Sequence, residues 1–238
     1  MAVWALGLAV VAALLLASGG LGYRFGLWGL GPAFALLKWS VYGAGAAVLV
    51  AAIALVLAVT GRSAGAFGAG LLAVLVAAGT AAVPLAMRRT AESVPRIHDI
   101  TTDTERPPEF VTLRPVREQS PNGAAYGGPE VAAAQKRGYP DVVPLLLPVS
   151  PDRAFARAES VARALGWEIA STAPAQGRLE ATATTRWFAF KDDIVVRVAP
   201  ALDGSRVDIR SVSRVGQSDL GANAARIRAF LSALRATQ

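Results

Sequence analysis

Apolar positions follow two different patterns along this chain. Over the first 87 residues they form three near-continuous runs, at 3–22, 39–59 and 64–87. A helix crossing about 30 Å of hydrocarbon needs about 20 apolar residues, and each run reaches or approaches that length. In lipid only a helix satisfies its own backbone polar groups, so the pattern predicts three membrane-spanning helices. Gly22-Tyr23-Arg24 and Gly31-Pro32 separate the first two, Gly61-Arg62-Ser63 separates the next two, and Arg88-Arg89 closes the third. Trp4, Tyr23, Trp28, Trp39 and Tyr42 fall near the predicted interfaces, where amphipathic rings prefer to sit. The first run lacks the basic leader of a cleaved signal and is read as a retained span.

Beyond residue 90 the pattern changes twice. Residues 90–148 carry nine prolines, a density that excludes long helices and central strands. This stretch reads as a linker, whose apolar end at 140–148 packs along the following domain as an extended arm. From 149 the periodicities of a folded domain begin. Ser150-Pro151 opens a helix that turns Phe155, Ala158, Val161, Ala162 and Leu165 inward and stops at Gly166. Residues 167–172, 178–185, 187–190, 194–198 and 206–213 suit strands, with Lys191-Asp192-Asp193 as a hairpin or bulge and Asp203-Gly204 as a turn. Ser218 or Asp219 caps a last helix with a stripe of Leu220, Ala224, Ile227, Leu231 and Leu234. The expected architecture is a three-span α-helical anchor (1–89), a Pro-rich linker and arm (90–148), and an α+β domain (149–238). In that domain an antiparallel sheet is flanked by N- and C-terminal helices, which cover one face.

Charge sharpens this division. The chain has 24 Lys and Arg against 17 Asp and Glu, a net charge of +7. The first 90 residues hold five basic and no acidic side chains, which leaves 19 against 17 in the remainder. That near balance offers no basic stripe for nucleic acid. No ionisable residue lies in the middle of a run, which argues against an ion or proton pathway. Gly43, Gly45, Ala47, Gly65, Gly68 and Gly70 let helices approach closely, so a compact anchor or a homo-oligomer is expected. Arg24, Lys38, Arg88, Arg89 and Arg96 fall on one side of the bilayer and only Arg62 on the other, which puts the tail in the cytoplasm by the positive-inside rule.

Three polar clusters carry the candidate chemistry. Arg186 stands with Lys191, Asp192 and Asp193; on a strand the two aspartates face opposite ways, whereas in a turn both can face a cation, or the group is a solvated hairpin tip. Arg210, Ser213, Arg214, Gln217, Ser218, Asp219 and Asn223 span a strand end, a turn at Gly216 and a helix start. Helix N-terminal N–H groups attract anions and Arg214 adds a bidentate partner; alternatively Ser218 and Asp219 cap, and Arg214 pairs with Asp192 or Asp193. The sole histidine, His98, precedes Asp99 and Asp103, a set suited to a general base or a divalent ion, or simply a polar juxtamembrane segment. No nucleophile-elbow, P-loop, zincin or dinucleotide motif is present, and nothing calls for a cofactor or a metal ion.

Residues 186–193 (Arg-Trp-Phe-Ala-Phe-Lys-Asp-Asp) and 211–223 (Ser-Val-Ser-Arg-Val-Gly-Gln-Ser-Asp-Leu-Gly-Ala-Asn) resemble the domain of unknown function 1499 family. Residues 95–103 (Pro-Arg-Ile-His-Asp-Ile-Thr-Thr-Asp) resemble its membrane-anchored proteobacterial branch, and the likeness spans most of 95–236. The resemblance implies a domain and no reaction. Many relatives carry an export signal, which implies a multi-pass inner-membrane protein with its tail in the periplasm, against the charge count. The expected function is a binding or scaffold domain at the membrane surface, using Arg186, Arg210, Ser213, Arg214, Ser218, Asp219 and Asn223. The alternative is a hydrolase-like envelope enzyme using His98 with Asp192 or Asp219. Expected partners are the lipid bilayer and an anionic ligand or envelope protein.

Overall fold

The computed structural model describes residues 1–236. The chain forms two units, Met1–Thr90 with Arg186–Ala189, and Ala91–Thr185 with Phe190–Gln238.

The first unit contains α1 (Ala2–Arg24), α2 (Leu30–Thr60) and α3 (Ala64–Ser93), each long and apolar enough to cross a bilayer. Helix α2 starts earlier than the apolar run suggests. Pro32 lies in its first turn, where a missing N–H costs nothing, so Gly31-Pro32 opens the helix instead of preceding it. The buried positions of α2 are Ala33, Leu37, Ser40, Ala44, Ala47, Ala51, Ala54 and Ala58. Their alternating steps of four and three give the 3.5-residue period of a left-handed helix seam. Ala5, Ala9 and Ala12 of α1 and Gly70, Ala73, Ala77 and Thr80 of α3 repeat it. Alanines from all three helices join in one buried cluster, while Leu14, Leu49, Val56 and Leu75 point outward. The two buried hydroxyls bond within their own helices, Ser40 to the Leu37 carbonyl at 2.7 Å and Thr80 to that of Val76 at 2.8 Å.

Arg186–Ala189 belongs to this helical unit, and residues 186–188 form a turn where the apolar pattern predicts a strand over 187–190. The helices satisfy these side chains instead of the sheet. Trp187 lies against Gly20, where a Cβ would come within 2.3 Å of its Nε1. Phe188 packs 6.1 Å from both the Tyr23 and Phe34 rings, and Arg24 donates a hydrogen bond to the Arg186 carbonyl. Ala189 takes a left-handed φ of 55°, which interrupts strand geometry.

The second unit is an α+β domain. Its elements run β1 (Asp99–Thr101), α4 (Arg114–Glu118), α5 (Gly128–Gly138), β2 (Leu145–Leu147), α6 (Pro151–Ala164), β3 (Glu168–Ala173), β4 (Arg178–Thr184), β5 (Lys191–Ala201), β6 (Gly204–Ser213) and α7 (Ala222–Ala236). The sheet is antiparallel throughout, in the order β1-β6-β5-β4-β3. β2 also pairs with β6, so β1 and β2 lie end to end along one side of it, at residues 210–212 and 205–207. Residues 90–148 are therefore more than a linker and arm. They supply two short strands, two helices and core residues Ile97, Ile100, Tyr139 and Val142. Pro144 and Pro148 bracket β2 and limit it to three residues, and both short strands lie beside β6 at the side of the sheet, where neighbouring prolines are tolerated.

Helices α6 and α7 cover one sheet face. Leu179 and Ala181 of β4, Ile194, Val196 and Val198 of β5, and Val207 and Ile209 of β6 meet Phe155, Val161, Ile227, Phe230 and Leu234 there. The Trp167 and Phe230 rings stack 5.2 Å apart. Burying each such large side chain stabilises the fold by about 1.5–3 kcal/mol.

Candidate functional site

The opposite sheet face carries charge. Alternation along β4, β5 and β6 sends Arg178, Glu180, Thr182, Asp193, Arg197, Arg206, Asp208, Arg210 and Val212 to this side. The register sets them in rows: Thr182 beside Asp193 beside Val212, and Arg178 beside Arg197 beside Asp208. Residues 103–126 lie over these rows and neutralise them group by group.

Glu180 is fully buried. Its carboxylate accepts the backbone N–H groups of Val111, Thr112 and Leu113 at 2.9, 3.1 and 2.8 Å, leading into α4. One turn on, the equally buried Arg117 donates to Asp193 at 3.0 Å and to the Val212 and Gly123 carbonyls. Burial pulls the Arg117 pKa below its ordinary value, against the opposing pull of Asp193. Asp193 also receives Arg214 through two hydrogen bonds of 2.9 and 2.8 Å. Arg210 makes a two-point pair with Asp99 at 2.9 and 2.7 Å, between the Phe110 and Tyr126 rings. At the far end Arg197 and Arg206 share Asp103 and Asp208. Burial works against the Asp103 carboxylate, yet the Arg106 and Glu105 N–H groups and the two guanidiniums together hold it below the ordinary aspartate value.

The residues singled out from the sequence separate into different places. Arg210 and Arg214 lie on the charged face. Ser213 and Asn223 lie on the helix side, where Asn223 accepts from Ser211 at 2.7 Å and donates to Ser213 Oγ and the His98 carbonyl, each at 3.0 Å. Arg226 spans from Asn223 to Asp192. Asp219 caps α7 by accepting the Gly221 and Asn223 N–H groups at 2.9 and 2.7 Å; burial raises its pKa, opposed by those same donors. Ser218 Oγ accepts the Leu220 N–H, and Arg186 belongs to the helical unit. Asp192 and Asp193 are buried on opposite faces of β5, as strand alternation requires, and form no solvated tip. Among the described residues no three His, Asp or Glu side chains converge as metal ligands.

Two adjoining hollows stand open on the charged face. One encloses about 590 Å³ over Phe110, Arg114, Glu118, Tyr126 and Arg210. The other, of about 650 Å³, shares Pro107 and Glu109 with it and adds Glu105, Arg106, Arg178 and Arg197. The Tyr126 hydroxyl is buried with no hydrogen-bond partner among the described residues, and burial together with nearby Asp99 pushes its pKa up to about 12. It therefore stays protonated, a neutral donor beside Arg210. Sequence reasoning missed this groove because Arg117, Tyr126 and Glu180 meet only when residues 103–126 fold over the sheet. The alternating charges Arg178-x-Glu180 and Arg206-x-Asp208-x-Arg210 were its one visible sign.

Fold and site define a small α+β domain with an ion-paired sheet face, carried on a chain that begins with three apolar helices. Residues 99–234, more than half of the chain, match the family described as "Protein of unknown function (DUF1499)", and the chain belongs to that family. No curated protein matches it in sequence.

Proposed function

We propose that this chain is an integral inner-membrane protein whose α+β domain is a binding or scaffold domain, and that the double groove along residues 105–126 receives its partner. The observation that carries this reading is the engagement of the carboxylates a hydrolase would use. Asp192, Asp193 and Asp219 are committed to Arg226, to Arg117 and Arg214, and to the α7 cap, whereas the groove stands open. Five arginines and three glutamates line its two hollows. Arg178, Arg197 and Arg210 are held by Glu180, by Asp103 and Asp208, and by Asp99. The partner is therefore an anionic segment of an envelope protein that meets Arg106, which has no ion pair among the described residues, and competes with the exposed Glu109 for Arg114. Interface arginines favour such contacts, because a guanidinium meets a carboxylate at two points. What favours a tail on the periplasmic side is the export that the family resemblance implies.

Two experiments test this reading. Hydrogen exchange on the full chain in nanodiscs, with hexaglutamate against hexalysine, should show protection over 105–126 with the acidic peptide alone, lost in Arg106→Glu/Arg114→Glu. Equal protection by both peptides, or none by either, removes the groove as a binding site. A reporter active only outside the cytoplasm, fused after Gln238, should be active; a silent reporter with a bright cytoplasmic counterpart reverses the orientation.

A further inference from the structure

A second, smaller basic site lies where the domain follows the apolar helices in the chain. Ser93 is the last residue of α3, six positions beyond Met87, where the apolar run ends. At 1.5 Å per helical residue the chain advances about 9 Å between them, comparable with the depth of one headgroup layer, given about 30 Å of hydrocarbon and about 40–45 Å in all. A hollow of about 530 Å³ opens here, lined by Ser93, Pro95, Arg96, Ile97, Arg137 and neighbouring small residues. None of its lining residues is acidic. Arg96 and Arg137 line this one hollow, and the backbone beside them is closely packed: a Cβ on Gly138 would come within 2.1 Å of the Pro95 ring, so the end of α5 abuts the residue next to Arg96. Arg96 is steadied by a hydrogen bond to the Gln217 side chain. Arg137 is exposed and forms no ion pair among the described residues.

We propose that this hollow binds the phosphate of an anionic phospholipid, held between the Arg96 and Arg137 guanidiniums. Its chemistry suits any phosphate; its place in the chain, with Ser93 and Arg96 only six and nine residues beyond the apolar run, favours one presented by a bilayer. The site is independent of the groove over residues 105–126, so either can fail alone.

The test is native mass spectrometry of the full chain in mild detergent, titrated with phosphatidylglycerol and, separately, phosphatidylcholine. Phosphatidylglycerol should be retained in preference. Each of Arg96→Gln and Arg137→Gln should weaken it about fivefold, the equivalent of about 1 kcal/mol per basic residue at an anionic surface, and the double variant about 25-fold. Arg137→Lys should keep most of the binding, and the exposed Arg153→Gln on α6 all of it, with unfolding midpoints confirming intact folds. Equal retention of both lipids would overturn the proposal. So would a double variant that holds phosphatidylglycerol like the parent, since Arg88 and Arg89 would then be the ligands. Full displacement by an equal concentration of inorganic phosphate would make it a free-anion site instead.

Discussion

The two units fill their interiors in opposite ways. Where the three helices of the helical unit meet, the buried positions are small, Ala44, Ala47 and Ala51 of α2 against Ala9 and Ala12 of α1 and Ala73 of α3, while Leu14, Leu49, Val56 and Leu75 face outward; Leu37 and Phe188 are the large buried exceptions. In the α+β domain the buried positions include the largest, Phe230, Trp167, Ile227 and Leu179. The difference follows from the surroundings each unit is built for. Against hydrocarbon a large side chain gains nothing by turning inward, so close backbone approach decides the interface. Against water, removing apolar area is the main gain. The domain adds a second contrast within itself, because one sheet face is apolar and the other is ion-paired. A buried ion pair gives little net stability while both partners are present, but removing one is costly.

Substitutions that reverse each logic sharpen the comparison. The largest effect is expected from Asp193→Ala, which leaves Arg117 buried and unpaired; about 3–5 kcal/mol should be lost, read as a shifted urea midpoint of the full chain in detergent. Phe230→Ala, a large-to-small change on the apolar face, should cost a similar 3–5 kcal/mol. An unchanged midpoint for either would mean that face contributes no cohesion. Glu180→Gln comes next at about 1.5–3 kcal/mol, and hydrogen exchange should quicken at Val111, Thr112 and Leu113. In the helical unit the damaging change runs the other way. Ala51→Leu overfills the seam and should cost about 1–3 kcal/mol in detergent-driven unfolding, while Leu49→Ala on the outer face should cost little.

The smallest effect concerns pH. Asp103 titrates below its ordinary 3.8 in the folded chain, so the unfolded chain binds the proton first as pH falls. Its contribution is present above the unfolded value and is lost as pH drops through the folded one. Asp103→Asn should therefore flatten part of the acid-side decline below about pH 4, with a smaller effect on the pH dependence near neutrality. An identical acid-side slope in the variant would place that sensitivity on other carboxylates.

Much of the fold was legible wherever a period had room to show itself. The three apolar runs became α1, α2 and α3, Ser150-Pro151 and Gly166 bracketed α6, and the alternation at 206–213 became β6. Strands β1 and β2 were not legible, since a strand of three residues cannot display a period of two. The segment at 187–190 was misleading for the opposite reason: its apolar side chains are real, but Trp187 and Phe188 pack on helices α1 and α2. Of the candidate residues, Arg214 met Asp193 and Asp219 became a cap, two readings the sequence allowed. Arg117, in a five-residue helix, gave no sign that it would be the largest fully buried side chain.

The sequence by itself determined which segments are helices able to cross a bilayer and which form an antiparallel α+β domain. Those outcomes rest on local periodicity and on the affinity of each side chain for water or hydrocarbon. Only the tertiary structure decided which charges are spent and which stay open. Glu180 meets Leu113 across 67 positions of chain, and Arg210 meets Asp99 across 111. Such pairs depend on strand register and on how residues 103–126 close over the sheet, and hydrogen bonds a few ångströms long exist only after that closure.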